Sequence, residues 1–333
     1  MTELAAVVLA HGDPVHLRRL VAALDDVPIF LHCDAKTASP VFEAMTRGLP
    51  RRVTVCDRIP ATLASWSLVR AELTALRQAV GRTRAQHIAV LSGSDYPLVS
   101  MQTLIDELQA WRDRSYFRNV PLPFRGWGRG RTRDGGLWRL QYRFVTHRDQ
   151  VIHVRGIPLR SPIKRRVPAE LTLRASSQWK IYARRHAEML LAVVDARPDL
   201  VRFWRSTYIP EESFAASVLS SRALVGADVL EPCLAQAWFM RWGPGIEHPR
   251  WLTSADFDAL VDARRAPLAD PAVVTRDPGK DAPVAHARKL FARKFSSTVD
   301  TLVLDRIDAE LRCCCGDAEA HMAWDYPERV LEP

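Results

Sequence analysis

Polar side chains follow apolar runs at three places in the first hundred residues, and their types suit the binding of a polar ligand. His11 follows the first run, Asp34 and Lys36 follow the second, and Asp95 follows a later one. Asp13 also follows the first run, but its place before a proline is typical of a helix N-cap. Asp34 and Asp95 have no comparable local role, and they are therefore the first candidates for ligand contacts.

The elements that must position these residues alternate between strand and helix. Apolar runs predict four strands, at Leu4 to Leu9, Pro28 to His32, Arg52 to Cys56 and His87 to Leu91. A helix is predicted from Ser65 by the apolar stripe of Trp66, Val69, Leu73, Leu76 and Val80. This alternation predicts an α/β fold with a Rossmann-like, mostly parallel central sheet flanked by helices. Ligands of such sheets bind beyond the carboxyl ends of the strands, where the candidate residues lie.

The second half of the chain has a less regular pattern. Residues Phe117 to Asp149 are rich in Gly, Arg and Trp, which predicts a long loop with a hairpin near Asp134-Gly135-Gly136. Helices are predicted at Ser177 to Leu191 and from Pro210 onward, and Pro267 to Val284 is predicted as a mobile loop. The sequence contains no internal repeat and no second core. It therefore favours one domain, residues 1–312, with a C-terminal tail at 313–333.

The positive charge of the chain is concentrated in one segment. The net charge is +9, but Arg112 to Arg185 contains 19 Lys and Arg residues against four acidic ones, a local balance of +15. A basic block of this kind indicates an anionic partner, such as a nucleic acid, an anionic glycan, a nucleotide diphosphate or a membrane surface. Arginine enrichment from a GC-rich genome is an alternative explanation.

The remaining bulk features predict a soluble cytoplasmic protein. The sequence has no apolar run of the roughly 18 residues that a membrane span needs, and Met1 to Ala10 lacks the basic start of a signal peptide. None of the six cysteines forms a C-x-x-C pair, so reduced thiols are expected. Metal binding or oxidation at Cys313-Cys314-Cys315 is the less favoured alternative to a featureless tail.

Five blocks, in order, resemble the core-2/I-branching β-1,6-N-acetylglucosaminyltransferases and the related peptide O-xylosyltransferases and plant glucuronosyltransferases. The blocks are Val7-Val8-Leu9-Ala10-His11 with His32-Cys33-Asp34-Ala35-Lys36; Trp66-Ser67-Leu68-Val69-Arg70-Ala71-Glu72-Leu73; Leu91-Ser92-Gly93-Ser94-Asp95-Tyr96-Pro97-Leu98; Ser176-Ser177-Gln178-Trp179 with Ile209-Pro210-Glu211-Glu212-Ser213-Phe214; and Phe291-Ala292-Arg293-Lys294-Phe295 with Leu304-Asp305-Arg306-Ile307-Asp308. Each block alone is weak, but together they cover nearly the whole chain.

The resemblance implies a GT-A fold and an inverting glycosyltransferase that needs no divalent metal and no other cofactor. Residues 1–110 would form the nucleotide-binding half, and residues 111–312 the acceptor-binding and catalytic half. Where most GT-A enzymes hold a metal with a D-x-D motif, this chain has Ser92-Gly93-Ser94-Asp95, with one carboxylate. A hard divalent ion usually takes more than one protein oxygen, which supports the metal-free expectation.

The resemblance also assigns the groups for the chemistry. An inverting transferase needs a carboxylate that takes the acceptor proton and a positive charge on the leaving diphosphate. Glu212 matches the acid of the family's P-D-E motif and is the predicted base, with Glu211 replacing the middle aspartate and predicted near the acceptor. The alternative is that both glutamates are ordinary carboxylates in the first turn of a helix, where the helix dipole stabilises them. Lys294 matches the family's diphosphate-binding lysine. The alternative interpretation is that Lys294 is an ordinary exposed lysine. Its partner arginine is predicted as Arg288, with Arg276 as a second candidate.

For the donor nucleoside and sugar, the resemblance predicts contacts from Val8, His11, Asp34, Lys36 and Asp95. A strand-end cap is the alternative role for Asp34, and support of the Tyr96-Pro97 turn is the alternative for Asp95. Trp238 and Trp242 are predicted to stack on the acceptor, although core packing explains them equally well.

The predicted partners are a UDP-sugar donor and a glycan or small-molecule hydroxyl acceptor, with peripheral contact to a membrane as a further prediction. GlcNAc is the favoured sugar, with xylose and glucuronate as alternatives. A bacterial origin is expected. A nucleic-acid-binding protein, with Trp127 and Trp138 stacking bases among arginines, is the rival from another class, and a non-catalytic binding scaffold is the second. No nucleic-acid-binding motif is recognised, so no nucleic acid partner is expected.

Overall fold

The computed structural model describes residues 3–109, 111–124, 134–233, 235–242, 248–266 and 288–313. The predictions for Trp127, Arg276, Cys314, Cys315 and the Pro267 to Val284 loop lie outside these ranges, and of the predicted tail only Cys313 lies within them.

The strands are β1 (Leu4–Ala10), β2 (Ile29–Cys33), β3 (Val53–Val55), β4 (His87–Ser92), β5 (Asp95–Pro97), β6 (Val120–Pro121), β7 (Tyr142–Phe144), β8 (Thr146–His147), β9 (Gln150–Val151), β10 (His153–Val154), β11 (Ile157–Pro158), β12 (Arg160–Lys164), β13 (Arg174–Ala175), β14 (Lys180–Ala183), β15 (Trp238–Met240) and β16 (Phe291–Arg293). The α-helices are α1 (Pro14–Ala23), α2 (Ser39–Thr46), α3 (Trp66–Arg82), α4 (Met101–Gln109), α5 (Trp138–Gln141), α6 (Arg184–Ala196), α7 (Pro198–Arg205), α8 (Phe214–Leu219), α9 (Arg222–Val225), α10 (Phe257–Arg265) and α11 (Leu302–Arg306). Short 3₁₀ turns occupy Pro210–Glu212 and Ser254–Asp256, and a π-turn occupies Ile307–Leu311.

The central sheet has five strands in the order β14-β4-β1-β2-β3. The pairs β1–β2, β1–β4 and β2–β3 are parallel, and β14 is an antiparallel edge. β1, β2 and β4 are buried along their whole length, as continuous apolar runs in a covered parallel sheet should be. The predicted mixed α/β fold with a mostly parallel central sheet is confirmed.

The helices that pack on this sheet begin where the sequence predicts. Asp13 caps α1 by accepting a 3.0 Å bond from the backbone N–H of His16, and Pro14 is the first helical residue. α3 buries Trp66, Val69, Leu73 and Leu76 of the predicted stripe. These contacts fix the strand-to-helix turns at the carboxyl edge of the sheet.

A second sheet, β15-β16-β5, joins the C-terminal part of the chain to the end of the first half. β16 runs antiparallel to β5 and pairs Arg293 with Asp95. The segment after β16 is therefore held next to the carboxyl end of β4, from which β5 follows directly.

Three local predictions for the second half differ from the structure. Residues 117–149 contain β6, α5, β7 and β8, and Gly135 and Gly136 belong to a turn that leads into α5 and not to a hairpin. Within the predicted helix at Ser177 to Leu191, residues 180–183 form β14 and the helix begins only at Arg184, because pairing with β4 overrides the local pattern. Pro210 begins a 3₁₀ turn, and α8 follows it only from Phe214.

Buried apolar side chains from both halves form one contiguous cluster, which extends from Leu4 to Leu311. Among the described residues, no helix combines the length and the apolar character that crossing a bilayer requires.

Candidate functional site

The ends of β1 and β4 approach each other closely at the carboxyl edge of the sheet. The N–H of Gly93 donates to the carbonyl of Leu9 over 2.8 Å. A Cβ atom on Gly93 would lie 2.8 Å from the Cβ of Ala10, so only glycine fits here without movement. His11 follows Ala10 and is exposed at this edge, so its side chain is accessible to a ligand.

Asp34 organises the loop that follows β3, residues 57–65. Its Oδ1 accepts bonds from the N–H groups of Lys36 at 2.9 Å and Ala61 at 3.3 Å. The Lys36 ammonium lies 3.8 Å from Asp34 Oδ2 and donates to Thr62 Oγ1 over 3.1 Å. The side chain of Asp34 is 14% exposed and that of Lys36 is 52% exposed. The structure thus brings the predicted pair together at the edge and also gives Asp34 the capping contacts of the alternative interpretation.

Three residues predicted to contact ligands lie inside the protein. Val8 is fully buried in the middle of β1, where it pairs with both neighbouring strands. Asp95 is fully buried and accepts bonds from the N–H of Ser92 at 3.0 Å and from Trp238 Nε1 at 2.9 Å. Trp238 is 2% exposed and stacks on Phe291. These placements differ from the predicted ligand contacts, because Val8 packs inside the central sheet and the second sheet engages Asp95 and Trp238.

Burial raises the pKa of Asp95, and the neighbouring Arg293 opposes that rise. Its guanidinium lies 3.4 Å from Asp95 Oδ1 and stacks 3.9 Å from the centre of the Trp179 ring. A buried charge of this kind requires a paired and hydrogen-bonded partner. Asp95 therefore joins the end of β4 to β15 and β16 inside the protein, and Tyr96 and Pro97, predicted as a turn, lie in β5.

Lys294 follows this buried pair and lies at the edge of the sheet. The N–H of Phe295 donates to the Ser94 carbonyl at 2.9 Å, and the Lys294 carbonyl accepts from the N–H of Leu252 at 2.9 Å. The ammonium lies 4.2 Å from the centre of the Trp251 ring. Partial burial, and then the nearby Arg293, lower the pKa of Lys294. A cation in this setting is stabilised by a negatively charged partner.

Asp13, which lies just after the end of β1, binds the segment of chain that follows Lys294. Its Oδ2 accepts bonds of 2.8 Å from Ser296 Oγ and from the N–H of Ser297. Its Oδ1 accepts a bond from Ser297 Oγ and the capping bond from the backbone N–H of His16 in α1. These bonds lower the pKa of Asp13 against the opposing and largest effect, which is burial. We call this contact between residues 13 and 296–297 the Asp13 clamp.

Arg288, the predicted partner of Lys294, is engaged elsewhere. It donates to Glu107 Oε1 at 2.7 Å and to the Ala266 carbonyl at 3.0 Å. This placement differs from the diphosphate role, because Glu107 is a buried carboxylate that needs a cation. The neighbouring Lys289 donates to the Gln236 carbonyl at 2.9 Å, and burial lowers its pKa to about 8. Sequence reasoning missed Lys289, and no motif would have indicated it.

The two adjacent glutamates have opposite environments. Glu212 has a side chain that is 36% exposed, and its Oε2 lies 3.3 Å from Arg139 Nη1. Glu211 is 4% exposed and accepts a 2.8 Å bond from the N–H of Ala64. Burial raises the pKa of Glu211 to about 8, and the adjacent Glu212 adds to the rise. Glu211 therefore faces the interior, which differs from its predicted place near the acceptor, while Glu212 faces solvent.

The turn that carries these glutamates is hydrogen-bonded on one side to the loop 57–65 and on the other side to Ser176. Ile209 has a left-handed backbone, φ 53°, and its N–H donates to the Ala64 carbonyl at 3.2 Å. The loop 57–65 thus links the turn to Asp34. On the other side, the Glu212 carbonyl accepts a 2.7 Å bond from the N–H of Ser176, three residues before Trp179. A left-handed β-branched residue is costly, which points to a constraint on this turn.

Two tryptophans present exposed ring surface in this half of the protein. Trp242 is 53% exposed and forms a β-bridge with Pro249, so its ring remains available for the predicted stacking on an acceptor. Trp251 is 38% exposed and carries the Lys294 ammonium over its ring. Trp251 was not predicted from the sequence, because it belongs to no recognisable hydrophobic periodicity.

Across the described ranges, no group of three or more His, Cys, Asp or Glu side chains is arranged to hold a metal ion. The site therefore combines the partly exposed carboxylate of Glu212, the ammonium of Lys294 with its lowered pKa, and exposed aromatic and polar groups. This set can remove a proton from a hydroxyl and stabilise a developing anion.

A comparison with protein families finds that the model described as "Branch: Core-2/I-Branching enzyme" matches residues 7–261. The match includes the first four sequence blocks and ends before Lys294. The comparison with curated proteins finds no match.

Proposed function

Since this chain belongs to the core-2/I-branching enzyme family, a family of glycosyltransferases, we propose that it transfers a sugar from a UDP-sugar to an acceptor hydroxyl with inversion. GlcNAc is the favoured sugar, and xylose and glucuronate are the alternatives. We further propose that the α/β domain has the GT-A fold. The donor nucleotide binds along the edge formed by His11, Asp34 and Lys36, with its diphosphate at Lys294.

The observation that carries this proposal is the contrast between Glu212 and Glu211 on one turn. A general base must reach the proton that it removes. The Glu212 carboxylate is partly exposed and oriented by Arg139, whereas the Glu211 carboxylate is buried against Ala64. Glu212 is the glutamate of this pair that a substrate can reach.

In the proposed reaction the acceptor oxygen attacks the anomeric carbon from the face opposite the diphosphate. The new carbon–oxygen bond forms as the bond to the diphosphate oxygen breaks, and the acceptor proton passes to Glu212. The electron pair of the broken bond stays on the diphosphate, where the Lys294 ammonium stabilises the charge. The lowered pKa of Lys294 supports this role, because an incoming diphosphate relieves the cost of a partly buried cation.

We propose that no divalent metal takes part. The lone carboxylate of the Ser92 to Asp95 segment is committed to Ser92, Trp238 and Arg293, so it is not available as a ligand. We therefore expect transfer to continue in excess EDTA. Loss of activity on chelation, with recovery on addition of manganese or magnesium, would contradict this expectation.

A cytoplasmic location is also part of the proposal. Cys33, Cys56 and Cys233 are buried free thiols, a state that a reducing compartment maintains.

The test of the function is a screen of nucleotide sugars for hydrolysis and for thermal stabilisation of the protein. One UDP-sugar should be turned over by the native chain, and it should stabilise the Glu212→Gln variant without turnover. If no nucleotide sugar stabilises either protein, the proposed function is wrong.

A further inference from the structure

The segment of residues 142–166, which we call the basic meander, is a series of short antiparallel pairs. β12 pairs with β7, β8 with β9, and β10 with β11. Backbone bonds among Val145, Ile152 and Leu159 join the hairpins into one unit. The meander contains seven Lys and Arg residues and one acidic residue, and it forms the middle of the basic block.

The cations of the meander face solvent, and its one carboxylate does not offset them. Six of the seven are exposed: Arg143, Arg148, Arg155, Arg160, Lys164 and Arg166. Asp149 lies 2.8 Å from Arg70 and 3.3 Å from Arg205, so its charge is already paired with the body of the protein. Arg148 and Arg155 occupy left-handed turn positions, φ 49° and 52°, where Asn or Gly would cost less.

The same surface exposes aliphatic side chains. Six of the 13 large apolar side chains that are exposed in the described part of the chain lie in the meander. They are Val145, Ile152, Val154, Ile157, Leu159 and Ile163, and Ile157 and Ile163 are 70% and 76% exposed. A concentration of exposed aliphatic groups marks an interaction surface.

We propose that the basic meander docks the protein on a membrane surface that carries anionic lipid headgroups. Cations that pair with headgroup phosphates, mixed with aliphatic groups that enter the boundary with the acyl chains, are the two features of interfacial binding. An anionic glycan would use the cations but gives no role to exposed isoleucines. A second copy of the chain would cover the aliphatic groups but would bring two sets of six cations together.

The base of the meander is fixed to the candidate site. Phe144 stacks on Tyr208 with ring centres 5.2 Å apart, and its N–H donates to the Ser206 carbonyl at 2.9 Å. Tyr208 lies two residues before the turn that carries Glu212. A docked protein therefore holds this turn close to the bilayer, which suits an acceptor hydroxyl borne on a lipid. That consequence rests on the proposed function, whereas the binding itself does not.

The experiment is co-sedimentation of the full chain with phosphatidylcholine vesicles, with and without phosphatidylglycerol. We expect binding to the anionic vesicles, weakened by salt, and little binding to the neutral ones. Arg155→Gln with Lys164→Gln should reduce partitioning roughly 25-fold, about five-fold per cation, and flatten its salt dependence. Ile157→Ser with Ile163→Ser should reduce it roughly ten-fold or more, also at high salt.

The matched control is Arg84→Gln with Leu302→Ser, which removes one exposed cation and one side chain that is 67% exposed outside the meander. The control should bind vesicles as the native chain does. The proposal is overturned if anionic vesicles do not bind, if the control loses as much binding as the meander variants, or if the isoleucine variant binds normally while heparin competes. It is equally overturned if sedimentation shows a dimer that the isoleucine variant dissociates.

Hydrolysis of the nucleotide sugar without vesicles separates this inference from the function. It should be equal in the native chain and in all three double variants. Vesicle binding without any turnover would leave the docking surface standing and remove the proposed function. Turnover without vesicle binding would do the reverse.

Discussion

Glu211 and Glu212 are neighbours with the same side chain, and their surroundings give them different chemistry. The 3₁₀ turn directs one carboxyl group to Ala64 in the interior and the other to Arg139 at the surface. The resemblance assigned the base to Glu212 but also placed Glu211 near the acceptor, because two adjacent carboxylates have no distinguishing local pattern.

Glu212→Gln keeps the shape of the side chain and removes its basicity, so we expect the transfer rate to fall roughly 10²–10⁴-fold. Donor affinity should change little, because the predicted donor contacts lie elsewhere on the edge. Steady-state kinetics and donor titration measure the two effects separately.

Glu211→Gln is the internal control, because an amide oxygen still accepts the bond from Ala64 and the side chain stays away from substrate. It should retain most of the activity. A dead Glu211→Gln beside an active Glu212→Gln would mean that the motif is right and the assigned base is wrong.

Lys294→Ala should weaken binding of UDP far more than binding of uridine. A lysine paired with a phosphate makes a charge-assisted contact worth about 1.5–3 kcal/mol, and uridine has no group to receive it. Calorimetric titration with both ligands provides the measurement. Equal losses would remove Lys294 from the diphosphate site.

At the scale of elements, the strands of the central sheet that run parallel could be predicted because their apolar runs are local signals. The second sheet could not be predicted, since Asp95 and Arg293 are paired across nearly two hundred residues and neither sequence neighbourhood reveals the other. That pairing also explains why Asp95 and Trp238 have structural roles. The engagement of Arg288 with Glu107 depends on tertiary packing in the same way.

The approach of β4 to β1 at Gly93 is a testable property of the edge. Gly93→Ala should destabilise the protein by about 1–3 kcal/mol, because the added Cβ meets Ala10 at 2.8 Å and the strand ends must separate. Urea unfolding measures the change in the free energy of unfolding.

Gly81→Ala is the matched control, since a Cβ at this position in α3 meets nothing within 4 Å. It should be neutral or stabilise the helix by about 0.5–1 kcal/mol. If Gly93→Ala is equally harmless, the close contact between the strand ends does not constrain the site.

At the scale of the whole molecule, two kinds of buried group set the dependence of stability on pH. Burial lowers the pKa of His16, His32 and His87, and it lowers the pKa of His186 to about 4. The unfolded chain then binds more protons below pH 6.5, so acid destabilises the fold. Glu211 acts in the opposite sense, because its pKa of about 8 makes the folded chain bind more protons from about pH 4.5 to 8.

We therefore expect the free energy of unfolding to fall as the pH drops from about 6.5 toward 4, and to fall again as the pH rises toward 8. Glu211→Gln should remove the alkaline decline, on the order of 4 kcal/mol at most, and leave the acid decline in place. Chemical denaturation across this pH range provides the test. A variant that keeps the alkaline decline would show that Glu211 is ionised in the fold.

The Asp13 clamp has a consequence for how the protein is made. A nascent chain acquires all the strands of the central sheet once residue 183 has left the ribosome. Lys294 and the serines that seal the end of β1 emerge more than a hundred residues later. For that part of translation the strands of the central sheet are already available, but Lys294, the proposed diphosphate-binding residue, has not yet emerged. If the proposed function is right, the order of synthesis therefore keeps the nascent chain from acting on donor until residues 294–297 have emerged.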